Sequence, residues 1–314
     1  VEGYRNFCTK LWNAARFCEM NECKPVDGFD PKGVQSILNK WIVGKTAEAE
    51  ARLRDALEAY RFNDAATAIY QFIWGTYCDW YLELVKPVLQ GDGDEAAKAE
   101  ARATAAWVLD QILVLAHPVI PFITEELWQS ITDDRPQRLI AMNWPTFDAS
   151  LIDADVNAEI DWVVRLISQV RAVRSEMNIP PSAKLPMFLK DAGANAARYL
   201  ETNRAVIERL ARLENTGLLQ GDVPDGAVQD VLDEAVIILP IKGAVDLDAE
   251  RERLDREIAK QDKEIQRFEG KLGNQKFVAN APAEVVETER ERLTEARQAR
   301  EKLEEARTRL LAVG

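Results

Sequence analysis

One histidine, His117, and four cysteines are all that 314 residues offer toward zinc ligation or a nucleophile–imidazole pair. Cys8, Cys18, Cys23 and Cys78 lack the paired short spacing of a zinc site, and a single histidine does not complete one. No serine or cysteine can find an imidazole base except through His117, which precedes Pro118 at an expected helix end, a structural position. A glycine-rich phosphate loop is missing. No apolar run approaches the ~20 residues that cross a bilayer, and no secretory signal opens the chain. An excess of cations is also missing: 53 Asp and Glu outnumber 40 Lys and Arg, for a net charge of −13. That balance argues against a nonspecific nucleic-acid binder, while local basic patches can still bind RNA. The expectation is no catalytic residue, no metal site and no membrane contact. Unpaired cysteines point to reduced thiols and the cytoplasm, with Cys8 and Cys78 as small buried hydrophobes in apolar helical patterns.

What is present is helix. A hydrophobic share of 47% suits a globular protein, and the length suits two or three domains. The first stretch, Val1 to Met20, is one amphipathic helix. Phe7, Leu11, Ala14, Ala15 and Cys18 recur at the helical period on one side. Tyr4, Arg5, Asn6, Lys10, Trp12, Asn13 and Arg16 put cations, amides and aromatic rings around the rest. Such groups can meet phosphates, pair with base edges and stack on splayed bases. They equally suit the polar outside of a bundle helix, and both readings stay open on these residues alone. Val1 is not an initiator Met and lies within this pattern, so the chain is expected to be part of a longer one.

Turn formers fill Lys24 to Lys32, and a second helix is expected from about Val34 to Tyr60, with Asn63 or Asp64 capping the next. Ala65 to Leu84 is apolar and aromatic on more than one face, as at a bundle centre, with Pro87 expected to end or kink it. A helix follows over Glu95 to Leu115, then a short one capped by Thr124, and Trp144 closes the open end. Helices of this length joined by short turns make an antiparallel bundle. Beyond it, Val156 to Met177 and Ala194 to Arg212 read as helices. Leu185 to Lys190, Leu213 to Leu219, Ala227 to Leu232 and Ala235 to Leu239 read as strands. They form a small α+β module with a joining role.

From Ala249 the pattern becomes a heptad seam of Leu254, Ile258, Gln261, Ile265, Phe268 and Leu272. After a turn over Gly273 to Pro282 the chain returns with Val286, Leu293, Ala296, Ala299, Leu303, Ala306 and Leu310. The fold class is therefore mainly α. It comprises a helical bundle over 1–147, a joining module over 148–244 and an antiparallel coiled-coil hairpin over 245–314. At about 100° per residue, Arg253, Arg256, Lys260, Lys263, Arg267 and Lys271 lie opposite the seam, while Asp255, Glu257, Asp262 and Glu264 flank it. A basic back face suits a phosphate backbone; a solvated coiled-coil surface is the alternative.

Several strings resemble valyl-tRNA synthetase, a family of class I aminoacyl-tRNA synthetases. GYRNFCTKLWNAARF (3–17) is similar to the first helix of its anticodon-binding domain. LNKWI (38–42), ALEAYRFNDAATAIYQFIWGTYCDWYLELVKP (56–87), LAHPVIPFITEELWQ (115–129) and VRSEMNIPPSAKLP (173–186) follow in the family's order. FVANAPAEVVETER (277–290) points to the valine family in particular. The resemblance implies a bundle that grips the anticodon stem-loop and a hairpin that braces the outer corner of tRNA(Val). It further implies that a full-length, monomeric, cytoplasmic ligase joins valine to that tRNA with ATP and Mg²⁺. HIGH-like and KMSKS-like strings do not occur here. The nucleotide-binding, aminoacylating and editing domains are therefore expected upstream, and this part alone is expected to be inactive and to hold no cofactor. The resemblance places anticodon contacts at Arg5, Asn6, Lys10, Asn13 and Arg16. Trp12 or Phe17 would stack, the core being an equal reading for Phe17. The basic back face makes Arg256, Lys260, Lys263, Arg267 and Lys271 the expected arm contacts, with Lys276 at the tip. Two other classes fit parts of the sequence: a structural protein whose hairpin binds a partner helix, and the matching region of an isoleucyl- or leucyl-tRNA synthetase.

Overall fold

The structure, a computed structural model, describes residues 2–132, 134–244 and 247–311, apart from the side chains of Glu2, Tyr4, Leu247 and Lys276. It divides into two compact units, residues 1–161 and 162–314. Three modules are expected from the sequence; the structure joins the α+β module and the hairpin in one unit.

The first unit is the helical bundle. Its helices are α1 (Glu2–Met20), α2 (Ile37–Glu58), α3 (Phe62–Tyr70), α4 (Leu82–Gln90), α5 (Glu95–Ala116) and α6 (Pro121–Ile131), with α7 (Ala154–Glu176) beginning here. Between α3 and α4 the chain stays helical but widens to a π-helix over Gln71–Tyr81. The core gathers Leu11, Ile42, Leu53, Ile73, Leu109, Ile112 and Leu113, each almost fully buried. Tyr77 and Tyr81 are buried with them, stacked at 5.7 Å between ring centres. Burial of a tyrosine demands a partner for its hydroxyl. Tyr77 donates to the Ala105 carbonyl at 3.0 Å and Tyr81 to Asn39 Oδ1 at 3.0 Å.

Helix ends differ from expectation in three places. Thr124 is not a cap: α6 starts at Pro121, whose missing N–H costs nothing in a first turn, and the Thr124 hydroxyl folds back on the Ile120 carbonyl. Neither Asn63 nor Asp64 caps α3. The helix begins at Phe62, and Asp64 pairs with Arg61 at 3.1 Å. Pro87 does not end α4, which continues to Gln90. An interior proline costs about 3 kcal/mol. Leu84, Val85 and Leu89, all buried on the same helix, offset that at roughly 1.5–3 kcal/mol each. Trp144 is half-buried, and its indole N–H donates to the buried Glu50 at 3.0 Å.

The second unit holds a four-stranded sheet in the order β2-β1-β4-β3, made by β1 (Leu185–Lys190), β2 (Leu213–Leu218), β3 (Ala227–Leu232) and β4 (Ala235–Pro240). β1 and β2 run parallel; the other pairs are antiparallel. The β1–β2 register slips between Leu185 and Pro186, where the proline has no N–H for the ladder. The expected continuous helix from Ala194 to Arg212 is two, α8 (Ala194–Thr202) and α9 (Arg204–Ala211). Asn203 divides them, its side-chain amide donating to the Tyr199 carbonyl at 2.9 Å in competition with the helical ladder.

α10 (Leu247–Gly273) and α12 (Ala283–Leu311) form the hairpin, and the expected turn between them contains a short helix, α11 (Gln275–Asn280). Of the expected seam, Leu254, Phe268, Val286, Ala296, Ala306 and Leu310 are buried, while Ile258, Gln261, Ile265, Leu272, Leu293, Ala299 and Leu303 are half-buried. Its base docks on the module. Arg309 pairs with Glu176 of α7 at 2.6 Å, and Arg253 donates to the Glu176 carbonyl at 3.4 Å. That docking places module and hairpin in one unit.

Candidate nucleic-acid interface

α1 is divided by its own periodicity. Phe7, Leu11, Ala14, Ala15 and Cys18 are buried, while Arg5, Asn6, Trp12, Asn13 and Arg16 are exposed. Positions 5, 9, 12 and 16 make one outer stripe at helical spacing; 6, 10, 13 and 17 make the next. The second stripe faces the π-helix and α4. Lys10, Asn13 and Phe17 line a groove of about 240 Å³ with Cys78, Glu83 and Lys86.

The candidates do not stand alike. Lys10 is half-buried and bound to Asp79 at 2.7 Å, with its ammonium 5.4 Å from the centre of the Trp74 ring. The hydrogen bond to Asp79 raises its pKa, so it is a firmly held cation. Phe17 is half-buried rather than core, with the Lys86 ammonium 5.5 Å over its ring. Trp12 is 39% exposed, which leaves a ring face open to stacking.

Sequence reasoning missed the partners across the groove. Trp74, Asp79, Glu83 and Lys86 lie in a segment read only as buried helix. Its signal was aromatic residues on too many faces for one core. Phe7, Tyr70 and Trp74 form a ring cluster, with Phe7 and Tyr70 centres 4.9 Å apart and Tyr70 and Trp74 5.7 Å. At the α2–α3 turn, Tyr60 and Phe62 are 80% and 63% exposed, side by side at 6.4 Å. The side chain of Tyr4 lies outside the described residues.

On the hairpin, Arg256, Lys260, Lys263, Arg267 and Lys271 are all exposed. They do not make a bare basic face. Arg256 pairs with Glu252 at 3.5 Å, Lys260 with Glu257 at 3.9 Å and Arg267 with Glu264 at 2.6 Å, each one turn back along α10. Lys271 crosses to Glu289 of α12 at 3.1 Å. Projection of α10 alone separated the signs; rotamers that reach one turn back bring them together. Among the described residues Lys263 has no ion pair, and the side chain of Lys276 lies outside them. Surface pairs of this kind are worth about 0–1 kcal/mol, so a phosphate can replace the carboxylate at small cost. The acidic flank has a separate duty. Asp255, Asp262 and Glu269, seven residues apart, bind Arg307, Arg300 and Arg297 of α12 at 2.5, 2.5 and 2.7 Å and set the hairpin's register.

No group of three His, Cys, Asp or Glu side chains among the described residues is arranged to hold a metal ion. His117 has a structural bond, its Nδ1 2.9 Å from the Thr124 hydroxyl. The four cysteines are free thiols, and burial pushes the Cys78 thiol up to about 12. No helix among the described residues is long and apolar enough to cross a membrane.

Two family models match the chain in this order. The anticodon-binding domain of tRNA ligase matches residues 39–189, and the valyl tRNA synthetase tRNA binding arm matches residues 246–311. Valine--tRNA ligase of Caulobacter vibrioides is 50% identical over 318 residues, covering 100% of this chain and 35% of the relative. Valine--tRNA ligase of Bradyrhizobium diazoefficiens is 46% identical over 343 residues, 99% of this chain and 36% of the relative. That of Rhizobium meliloti is 46% identical over 318 residues, 100% of this chain and 33% of the relative. The chain thus spans about a third of the length of the curated relatives it matches.

Proposed function

The chain belongs to the valyl-tRNA synthetase family, as its anticodon-binding and arm portion, and on that premise we propose that it holds tRNA for a longer valine–tRNA ligase. The bundle takes the anticodon stem-loop of tRNA(Val) on α1. Arg5, Lys10 and Arg16 meet phosphates, Asn6 and Asn13 pair with bases, and Trp12 or Phe17 stacks. The hairpin braces the tRNA outer corner through Arg256, Lys260, Lys263, Arg267 and Lys271, with Lys276 beside them. In the full ligase, valine is joined to this tRNA with ATP and Mg²⁺ by catalytic and editing domains outside these residues. The enzyme works as a cytoplasmic monomer, and the present portion alone is inactive.

The observation that supports this reading best is the exposed outer face of α1, where cations, amides and an indole ring share one helix on an otherwise acidic protein. Its test is binding of the 314-residue chain to tRNA(Val) and to the same tRNA with a swapped anticodon, across salt. Tighter binding to the native anticodon, weakening as salt rises, is the expected result. Equal binding to both removes the anticodon role. No binding, with the protein folded, leaves the partner-helix alternative for the hairpin.

A further inference from the structure

In residues 162–314 a cleft of about 530 Å³ opens between the end of α7, the turn that follows it and the end of α9. Its polar lining is Arg171, Arg174, Ser175, Asn178 and Arg212, with no carboxylate among its lining residues. Three guanidinium groups thus converge in a chain of net charge −13.

Arg174 is the unusual member. It is 7% exposed, and among the described residues its guanidinium donates only to main-chain carbonyls: Ala183 at 2.7 Å, Pro180 at 3.1 Å and Arg212 at 3.4 Å. Carbonyls satisfy its N–H groups but leave its charge uncancelled, and buried charges are ordinarily paired. Among the described residues no carboxylate pairs with it. Burial lowers its pKa, and the charge of Arg212 lowers it further, so two cations repel each other here. Arg212 is held at this rim by its backbone. It ends α9 at a φ of 54°, in the left-handed region, and its guanidinium donates to the Pro181 carbonyl at 3.0 Å. Arg171 is exposed at the opposite rim, with its Nε donating to the Leu210 carbonyl at 3.0 Å. Ser175 and Asn178 are exposed between them and offer a hydroxyl and an amide.

We propose that this cleft binds phosphate groups, with Arg171, Arg212 and Ser175 donating from the rim and Arg174 supplying positive potential from beneath. Phosphate suits it better than a carboxylate. A tetrahedral anion accepts from several planar guanidinium forks at once, where a carboxylate is filled by one or two. An RNA phosphodiester and a free oligophosphate share this chemistry. The site uses none of the α1 or arm candidates, so it stands whether or not the anticodon reading does.

The test titrates the 314-residue chain with inorganic tripolyphosphate and, separately, with a six-nucleotide oligouridylate, following the arginine Nε–Hε NMR signals and the heat of binding. The variants are Arg171→Gln and Arg212→Asn, asparagine being tolerated at left-handed positions. The control is Arg165→Gln, at a residue paired with Asp233 rather than lining the cleft. At least one of the two ligands is expected to bind, with each cleft variant weakening it at least tenfold, the control unchanged and the fold intact by circular dichroism. Binding of tripolyphosphate alone identifies a free oligophosphate as the ligand; binding of oligouridylate alone identifies an RNA backbone. Absence of binding by both, or binding that survives both cleft variants, overturns the proposal.

Discussion

Glu100 sits on α5 and serves the start of α2. Ser36 precedes α2 without a side-chain capping bond. Glu100 instead accepts from the Gln35 and Ser36 N–H groups at 2.9 Å each and from Asn39 Nδ2 at 2.7 Å. Burial pushes its carboxyl up, but those three bonds outweigh burial and hold it below the ordinary glutamate value. A depressed carboxylate contributes stability that is present above the unfolded value and lost as pH falls through the folded one. Glu100→Ala is therefore expected to cost about 1–3 kcal/mol near neutrality and to flatten the acid limb of the stability profile, read by urea unfolding from pH 7 to pH 3. Arg135 is the second such residue. Its guanidinium grips Asp110 with two bonds of 2.7 Å and lies 3.6 Å from the centre of the Trp128 ring. Both partners are largely buried, and breaking such a pair costs about 3–5 kcal/mol because one charge is stranded. Arg135→Ala is expected to lower thermal stability by that order. The loss shrinks at low pH, where Asp110, already raised by burial, takes up a proton.

Among elements, the π-helix of Gln71–Tyr81 does most to shape the proposed anticodon face. It seats Tyr77 and Tyr81 in the core while turning Trp74 and Asp79 toward Lys10 of α1. A regular helix, with fewer residues in each turn, would direct the same side chains differently. The hairpin is a second such element, with acidic residues every seventh position tied to arginines on the return helix. Its exposed cations differ in how readily each meets a phosphate. Lys263, having no carboxylate to release among the described residues, is expected to contribute most. Lys263→Ala should flatten the slope of log affinity for tRNA against log salt by about 0.7–0.9, the value for one phosphate contact. Lys260→Ala should change it less, since a nearby glutamate already screens that ammonium. Equal slopes for both variants and the parent would remove the hairpin from the binding surface.

For the whole molecule, residues 1–161 and 162–314 each enclose a core. Calorimetry is therefore expected to resolve two unfolding transitions. Phe268 is 5% exposed in the hairpin seam, and Phe268→Ala removes packing worth about 3–5 kcal/mol. That variant should lower one transition and leave the other in place; a single transition shifting as a whole would mean that the units unfold together.

Periodicity alone determined much of this protein. Apolar residues every three to four positions fixed the buried side of α1, and the heptads of α10 and α12 fixed the hairpin, because both faces follow from the turn of one helix. Strands β1, β3 and β4 were legible for a similar reason, being short runs with apolar residues between turn formers, and the more polar β2 from the turn formers that follow it. Tertiary structure decided the rest. The ending of α4 past Pro87 was settled by burial of its face against its neighbours, and the entry to α2 by a carboxylate 64 residues later. The state of each candidate cation was decided in the same way. Lys10 and Arg267 read alike as exposed positive charges, yet one is locked to an aspartate on a neighbouring helical segment and the other to a glutamate on its own helix. The phosphate cleft was invisible for that reason too. Arg174 and Arg212 are 38 residues apart and meet only because the sheet and its crossover return the end of α9 to the end of α7. Helical period is a local property of the backbone, whereas the partner of a charge depends on which distant element folds beside it.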